Sequence, residues 1–179
     1  MPRLFLAIDL PKDLREQVSA LYYGFPKTRW TPPEQLHLTL RFIGEVDGLF
    51  FRRIVDDLET LKFEPFPLQF TGLGYFPPRR HPNILWVGVD KNEPLIRLQR
   101  SLETRLVKLG LAAERRKFHP HLTIARLSPE TSLARLADYL SMNGAFSLPP
   151  FTVEEFHLYS SHLSRQGADH QIEATFPSL

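Results

Sequence analysis

Two short segments, His37-Leu38-Thr39-Leu40 and His121-Leu122-Thr123-Ile124, each place a histidine and a threonine two positions apart between apolar residues. On a strand, positions two apart point to the same face. Each segment therefore presents an imidazole and a hydroxyl on one surface and aliphatic side chains on the other. Histidine is the side chain most easily poised as acid or base near neutral pH. Two of them flanking one atom can work in concert, one taking a proton from a nucleophile while the other protonates the leaving group. Threonine hydroxyls can donate to an oxyanion held between them. In-line displacement at phosphorus fits this set. Its attacking and leaving oxygens lie on opposite sides, and its non-bridging oxygens face the hydroxyls. Such chemistry requires no metal, and no cofactor is expected. His119 and His121 have a spacing that can ligate metal on one strand face, but no carboxylate or third histidine stands at a convincing distance in the chain.

The surroundings suit an anionic ligand. Arg126 follows His121, the run Arg115-Arg116-Lys117 precedes it, and Arg41 follows the first motif. Arg126 is the preferred phosphate donor, as a charge-assisted hydrogen-bonding group. Strict alternation puts it on the face opposite His121 unless the strand bulges. Arg41 shares the parity of His37 and Thr39 and is its geometric rival. Phe118 can stack on a nucleobase or belong to the core. Trp30, beside two prolines, reads as packing, and Tyr159 as a buried tyrosine with a bonded hydroxyl. His157, in a returning strand, can face the site. His81, His162 and His170 read as turn or surface residues.

These motifs need strands to carry them, and the chain supplies them twice. Leu4 to Asp9 reads as a buried strand, Asp13 to Tyr22 as a helix, Leu36 to Ile43 as the first His-x-Thr strand, and Leu49 to Leu61 as a second helix. Phe66 to Phe76 returns as a strand broken by Gly72 and Gly74. The same order recurs about 84 residues later. Ile84 to Asp90 is a strand, Glu93 to Leu109 a helix, His121 to Leu127 the second His-x-Thr strand, Thr131 to Leu140 a helix and Phe151 to Tyr159 the returning strand. The expected architecture is α+β, with two lobes whose antiparallel sheets line a central groove and whose helices lie outside. The chain, 1–179, reads as a single domain of two pseudo-repeats, about 1–82 and 83–179. The prolines Pro77, Pro78, Pro82, Pro149 and Pro150 mark turns between elements rather than linkers.

Composition narrows the class. With 179 residues, 42% of them hydrophobic and 23% charged, the chain is an ordinary globular one. The absence of cysteine removes disulfides, thiolate nucleophiles and Cys-based zinc sites. A net charge of +2 is compatible with a polyanionic ligand. The first apolar run is short, contains Asp9 and meets Pro11, so it reads as a strand rather than a signal peptide. A cytoplasmic protein without a membrane segment is expected.

The stretch Trp30-x-x-Pro33-x-x-Leu36-His37-Leu38-Thr39-Leu40-x-Phe42-x-Gly44 resembles the first motif of the two-histidine (2H) phosphoesterases. Its detail is similar to the bacterial and archaeal 2'-5' RNA ligase branch, the RNA 2',3'-cyclic phosphodiesterases. Phe118-x-Pro120-His121-Leu122-Thr123-x-x-Arg126 resembles the second motif. The tail, with Leu158-Tyr159, Leu163 to Gly167 and Ala174 to Pro177, is similar as well. The resemblance covers nearly the whole chain. It implies the duplicated 2H fold and metal-independent hydrolysis of RNA 2',3'-cyclic phosphate ends to 2'-phosphomonoesters. It implies His37 as proton donor to the leaving 3' oxygen and His121 as proton acceptor from water. Thr39 and Thr123 would hold the non-bridging oxygens, with Arg126, Arg41 and Phe118 as further substrate-binding candidates. The implied partners are nucleotides and RNA bearing a 2',3'-cyclic phosphate or a 2',5' linkage, with tRNA fragments among the candidates. The protein is expected to act as a monomer. Two alternatives stay open: 2'-5' RNA ligation at the same site, and an RNA-end or nucleotide binding module without turnover.

Overall fold

The computed structural model describes residues 3–77, 81–164 and 167–179. Pro78 of the proline-rich turn, and Arg165 and Gln166 of the tail motif, lie outside the described residues. Ten strands and four helices are present among those described. In chain order they are β1 (Arg3–Asp9), α1 (Lys12–Val18), β2 (Arg29–Trp30), β3 (His37–Gly44), α2 (Gly48–Glu59), β4 (Phe66–Leu68) and β5 (Phe70–Phe76). Then follow β6 (Ile84–Val89), α3 (Glu93–Leu109), β7 (His121–Arg126), α4 (Leu133–Met142), β8 (Phe151–Val153), β9 (Glu155–Ser164) and β10 (Gly167–Pro177). Short 3-10 turns at Ser19–Leu21 and Pro33–Gln35 complete the list of helical segments.

Local chemistry sets the helix ends. Asp47 accepts from the Phe50 amide at 2.7 Å and starts α2. Asn92 accepts from Leu95 at 2.9 Å and starts α3, which Gly110 closes at φ +116°. Both are side-chain caps that satisfy otherwise orphaned amides, and the glycine takes the left-handed turn that other residues resist. The inward stripes Ile54 and Leu58 on α2, and Leu95, Leu98, Leu102 and Leu106 on α3, are buried. They join Leu4, Leu6, Ile8, Leu38, Leu40, Leu85, Val87, Leu122 and Ile124 in one core. The helices thus cover one face of the sheet and leave the other open, as an antiparallel sheet permits.

The main sheet runs β10-β9-β1-β3-β7-β6-β5, all antiparallel, with β2 added along β7. β3 and β7 meet at the pair Leu38↔Leu122, and the smaller sheet pairs β4 with β8 through Pro67↔Thr152. Both contacts join positions equivalent under the repeat, so a pseudo-twofold axis passes between them. The halves also exchange strands. β5, from the first half, pairs with β6 of the second; β9, from the second, pairs with β1 of the first. Each lobe is therefore built from both halves of the chain.

Three sequence readings are corrected. The run Phe66 to Phe76 breaks at Gln69, whose side chain donates to the Leu148 carbonyl at 3.0 Å, and not at the glycines. Gly72, at φ +70°, instead occupies an irregularity inside β5. The run Phe151 to Tyr159 likewise divides at Glu154, and its second part extends to Ser164. The sequence reading also missed β2 and β10. β10 is an edge strand with polar residues on both faces, so its backbone ladder to β9 is not announced by apolar alternation.

Candidate active site

His37 and Thr39 lie on the open face of β3, and His121 and Thr123 on the open face of β7, while the intervening Leu38, Leu40, Leu122 and Ile124 are buried. Extending the Leu38↔Leu122 register one residue either way sets His37 beside Thr123 and Thr39 beside His121. Side chains directly opposite in such a ladder are about 5 Å apart at Cβ and diagonal ones about 7–8 Å. The four groups form a small rectangle, with the histidines on one diagonal and the threonines on the other.

The two rings are held alike. His37 Nδ1 lies 2.7 Å from the Gln35 carbonyl, and His121 Nδ1 lies 2.7 Å from the His119 carbonyl. A carbonyl only accepts, so each Nδ1–H donates and each neutral ring keeps its lone pair on Nε2. Aromatic neighbours fix the ring planes. His37 lies 4.9 Å from Phe5, 5.5 Å from His170 and 6.2 Å from Tyr159, centroid to centroid. His121 lies 5.0 Å from Phe76 and 6.3 Å from Trp86. Small residues stand beside the motifs on the flanking strands. Ala7 stands beside Thr39 on β1, and Gly88 stands beside His121 on β6. A Cβ at Gly74 would fall 2.2 Å from the Trp86 ring, so only glycine lets the indole lie flat there.

Electrostatics differ between the rings. Burial pushes the His37 pKa down to about 4, against a partial upward pull from its carbonyl hydrogen bond. Burial also lowers His121, again opposed by its carbonyl bond, with neighbouring His119 pushing further down. Both rings are therefore neutral in the free protein at neutral pH. On the His37 side the Tyr159 hydroxyl donates to both Asp9 carboxylate oxygens at 2.7 Å. Burial, followed by that hydrogen bond, raises the Tyr159 pKa and keeps the phenol protonated.

Two bulges decide which arginine joins the histidines. On β3, Ala7↔Thr39 is followed by Leu6↔Arg41, so Leu40 is an extra residue and the alternation shifts. Arg41 turns to the core face, where its guanidinium bonds Glu103 and the Phe42 and Ala112 carbonyls. It does not reach the site, and Phe42, 63% exposed, takes the open face instead. On β7, Trp86↔Thr123 is followed by Leu85↔Ala125, so Ile124 is extra. Ala125 turns inward, and Arg126 emerges exposed on the same face as His121 and Thr123.

The remaining candidates fall elsewhere. Phe118 is half-buried and packs against the hydrophobic core. Trp30 stacks on Tyr22 at 4.8 Å, as a packing residue does. His157 is buried, with Nδ1 2.9 Å from the Thr175 hydroxyl and Nε2 3.7 Å from Asp9. The sequence reading missed Phe5, Phe76, Trp86 and His170 as lining residues. They sit on neighbouring strands, and spacing from the His-x-Thr motifs carries no signal of them. Trp86 Nε1 and His170 Nδ1 are buried with no hydrogen-bond partner among the described residues.

The site is an open sheet face rather than an enclosed cavity. Cavities of about 310 and 450 Å³ lie elsewhere, one beside Asp9, Glu155 and His157 and the other beside Arg41, Arg115 and Arg116. Among the described residues no cluster of three or more histidine or carboxylate side chains is arranged to hold a metal ion. No described helix is long and apolar enough to cross a membrane.

The chain is similar to known proteins over most of its length. The chain is 33% identical to an RNA 2',3'-cyclic phosphodiesterase of Archaeoglobus fulgidus, covering 92% of this chain and 94% of that one. It is 35% identical to an RNA 2',3'-cyclic phosphodiesterase of Methanothermobacter thermautotrophicus, covering 92% of each. The structure of E. coli LigT complexed with 3'-AMP superposes with a TM-score of 0.79 at 26% identity, covering 99% of this chain and 98% of that one. The model of the 2'-5' RNA ligase superfamily matches residues 9–165, and the chain belongs to that superfamily.

Proposed function

We propose that this protein hydrolyses RNA 2',3'-cyclic phosphate ends to 2'-phosphomonoesters by acid–base catalysis between His37 and His121. The observation that carries this reading is the matched pair of Nδ1-to-carbonyl hydrogen bonds, which leaves two Nε2 lone pairs on one open face. A water molecule attacks phosphorus and gives its proton to His121. The bond from phosphorus to the 3' oxygen breaks, and His37 donates a proton to that oxygen. The products are a 2'-phosphomonoester and a free 3' hydroxyl. Thr39, Thr123 and Arg126 hold the non-bridging oxygens. In the free protein His37 is neutral, so the anionic substrate must supply the countercharge that brings its proton.

The curated relatives named RNA 2',3'-cyclic phosphodiesterase support the reaction class, and the LigT complex with 3'-AMP supports nucleotide binding on this fold. The monomer suffices, because the two halves of one chain supply both histidines. The cytoplasm suits an enzyme of RNA ends without cysteine. The superfamily name favours a second reading, 2'-5' ligation at the same site. The test is incubation with a nucleoside 2',3'-cyclic phosphate, with and without EDTA, and identification of the product by phosphorus NMR. A 2'-monophosphate formed regardless of EDTA and lost in His121→Ala supports the proposal. A 3'-monophosphate reverses the assigned leaving oxygen, and joined RNA ends with no hydrolysis favour ligation.

A further inference from the structure

Arg29, on the short strand β2, pairs directly with Arg126 across the ladder to β7, so the two share a face. That is the face of His121 and Thr123. Along β7 it carries His121, Thr123 and Arg126 in order, and along the adjoining edge it carries Thr39, His37 and Arg29. The arginine pair therefore extends the catalytic rectangle beyond His37. Both side chains are exposed. Like charges placed directly opposite destabilise a sheet, yet among the described residues neither arginine has a carboxylate partner. Nearby Lys27, by contrast, is paired with Glu130 at 2.8 Å.

β2 is firmly placed for so short a strand. The Thr31 amide donates to the Ile124 carbonyl at 2.9 Å, and its hydroxyl donates to the Thr123 carbonyl at 3.1 Å. Trp30 is anchored on Tyr22. The bulge that turns Arg126 outward is thus braced by the same strand that presents Arg29. A cyclic phosphodiester carries one negative charge, which Arg126 and the two threonines can meet. A second guanidinium at the same level calls for a second anion. The end of an RNA chain offers one, the phosphodiester on the 5' oxygen of the terminal nucleoside.

We infer that Arg29 binds the phosphodiester adjoining the reacting phosphate and so makes the enzyme prefer polynucleotide ends to mononucleotides. This rests on the proposed reaction. The experiment compares kcat and KM of the wild type, Arg29→Ala and Arg29→Lys on two substrates, at several salt concentrations. One substrate is a short oligoribonucleotide ending in a 2',3'-cyclic phosphate. The other is a nucleoside 2',3'-cyclic phosphate without a 5' phosphate. Arg29→Ala should raise KM for the oligonucleotide roughly tenfold, the weight of one charge-assisted contact. Its salt dependence should become shallower, by about 0.7 in log–log slope. Turnover of the nucleoside substrate should be unchanged, and Arg29→Lys should recover part of the loss. Equal losses on both substrates would place Arg29 at the reacting phosphate and overturn the inference. So would an unchanged KM for the oligonucleotide. If the wild type hydrolyses neither substrate, the proposed reaction fails. Fluorescence anisotropy with the same oligonucleotide then still decides whether Arg29 binds it.

Discussion

The strands β3 and β7 begin with nearly the same residues and bulge at the same place, yet they deliver different groups to the open face. After its bulge β3 buries Arg41 and exposes Phe42; β7 buries Ala125 and exposes Arg126. The paired histidines differ in a parallel way. His37 sits among Phe5, Tyr159 and His170 with its pKa pushed down to about 4, whereas His121 is the less enclosed ring. A duplicated scaffold has thus become one lobe that desolvates a histidine and another that supplies a cation. The repeat preserves the placement of the histidines and threonines, while the residues one step beyond the bulge have specialised.

The largest expected effect breaks both lobes equally. His37→Ala and His121→Ala should each lower turnover by roughly 10²–10⁴-fold, the weight of a general acid or base, with the melting temperature little changed. Steady-state rates on a cyclic phosphate would show it, and near-full activity in either variant would refute the paired mechanism. Thr39→Ala and Thr123→Ala should each cost about 10²-fold, as lost oxyanion donors do. A loss confined to one threonine would mean that the phosphate sits off the pseudo-axis.

The bulges can be tested directly. Arg126→Ala should reduce kcat/KM by about tenfold or more without loss of stability, as removal of a charge-assisted contact to phosphate does. Arg41→Ala should do the reverse. It should lower stability by about 3 kcal/mol by leaving the largely buried Glu103 carboxylate without its counter-ion, seen in denaturant unfolding, while turnover per folded molecule holds. An activity loss from Arg41→Ala that exceeds its loss of folded protein would restore Arg41 to the site.

The pH behaviour sharpens the contrast between the two rings. Because both pKa values are lowered in the free protein, the alkaline limb of kcat/KM should lie at lower pH than that of kcat, where bound anion favours the protonated donor. A flat profile from pH 5 to 9 would count against acid–base work. Stability follows the same groups. Between pH 6.5 and about 4 the unfolded chain binds a proton at residue 37 that the folded protein refuses, so stability falls as pH falls through that window. His37→Gln should reduce that fall in thermal melts between pH 7 and pH 4, and this is the smallest of the expected effects.

Period-two alternation made His37, Thr39, His121 and Thr123 legible from the chain alone, because alternation depends only on neighbours within one strand. The helical stripes of α2 and α3 were legible for the same kind of reason. The faces that Arg126 and Arg41 take were not, because a bulge depends on the register that a second strand imposes. The exchange of β5 and β9 between halves, the edge strand β10 and the aromatic seats of Phe5 and Trp86 likewise arise from contacts between segments far apart in the chain. The sequence by itself determined the paired histidines and threonines, their duplication and the face that carries them, since these follow from local geometry. Tertiary structure alone decided which arginine shares the face of the histidines, how far each imidazole is desolvated and where Arg29 stands, since each depends on what another strand places beside it.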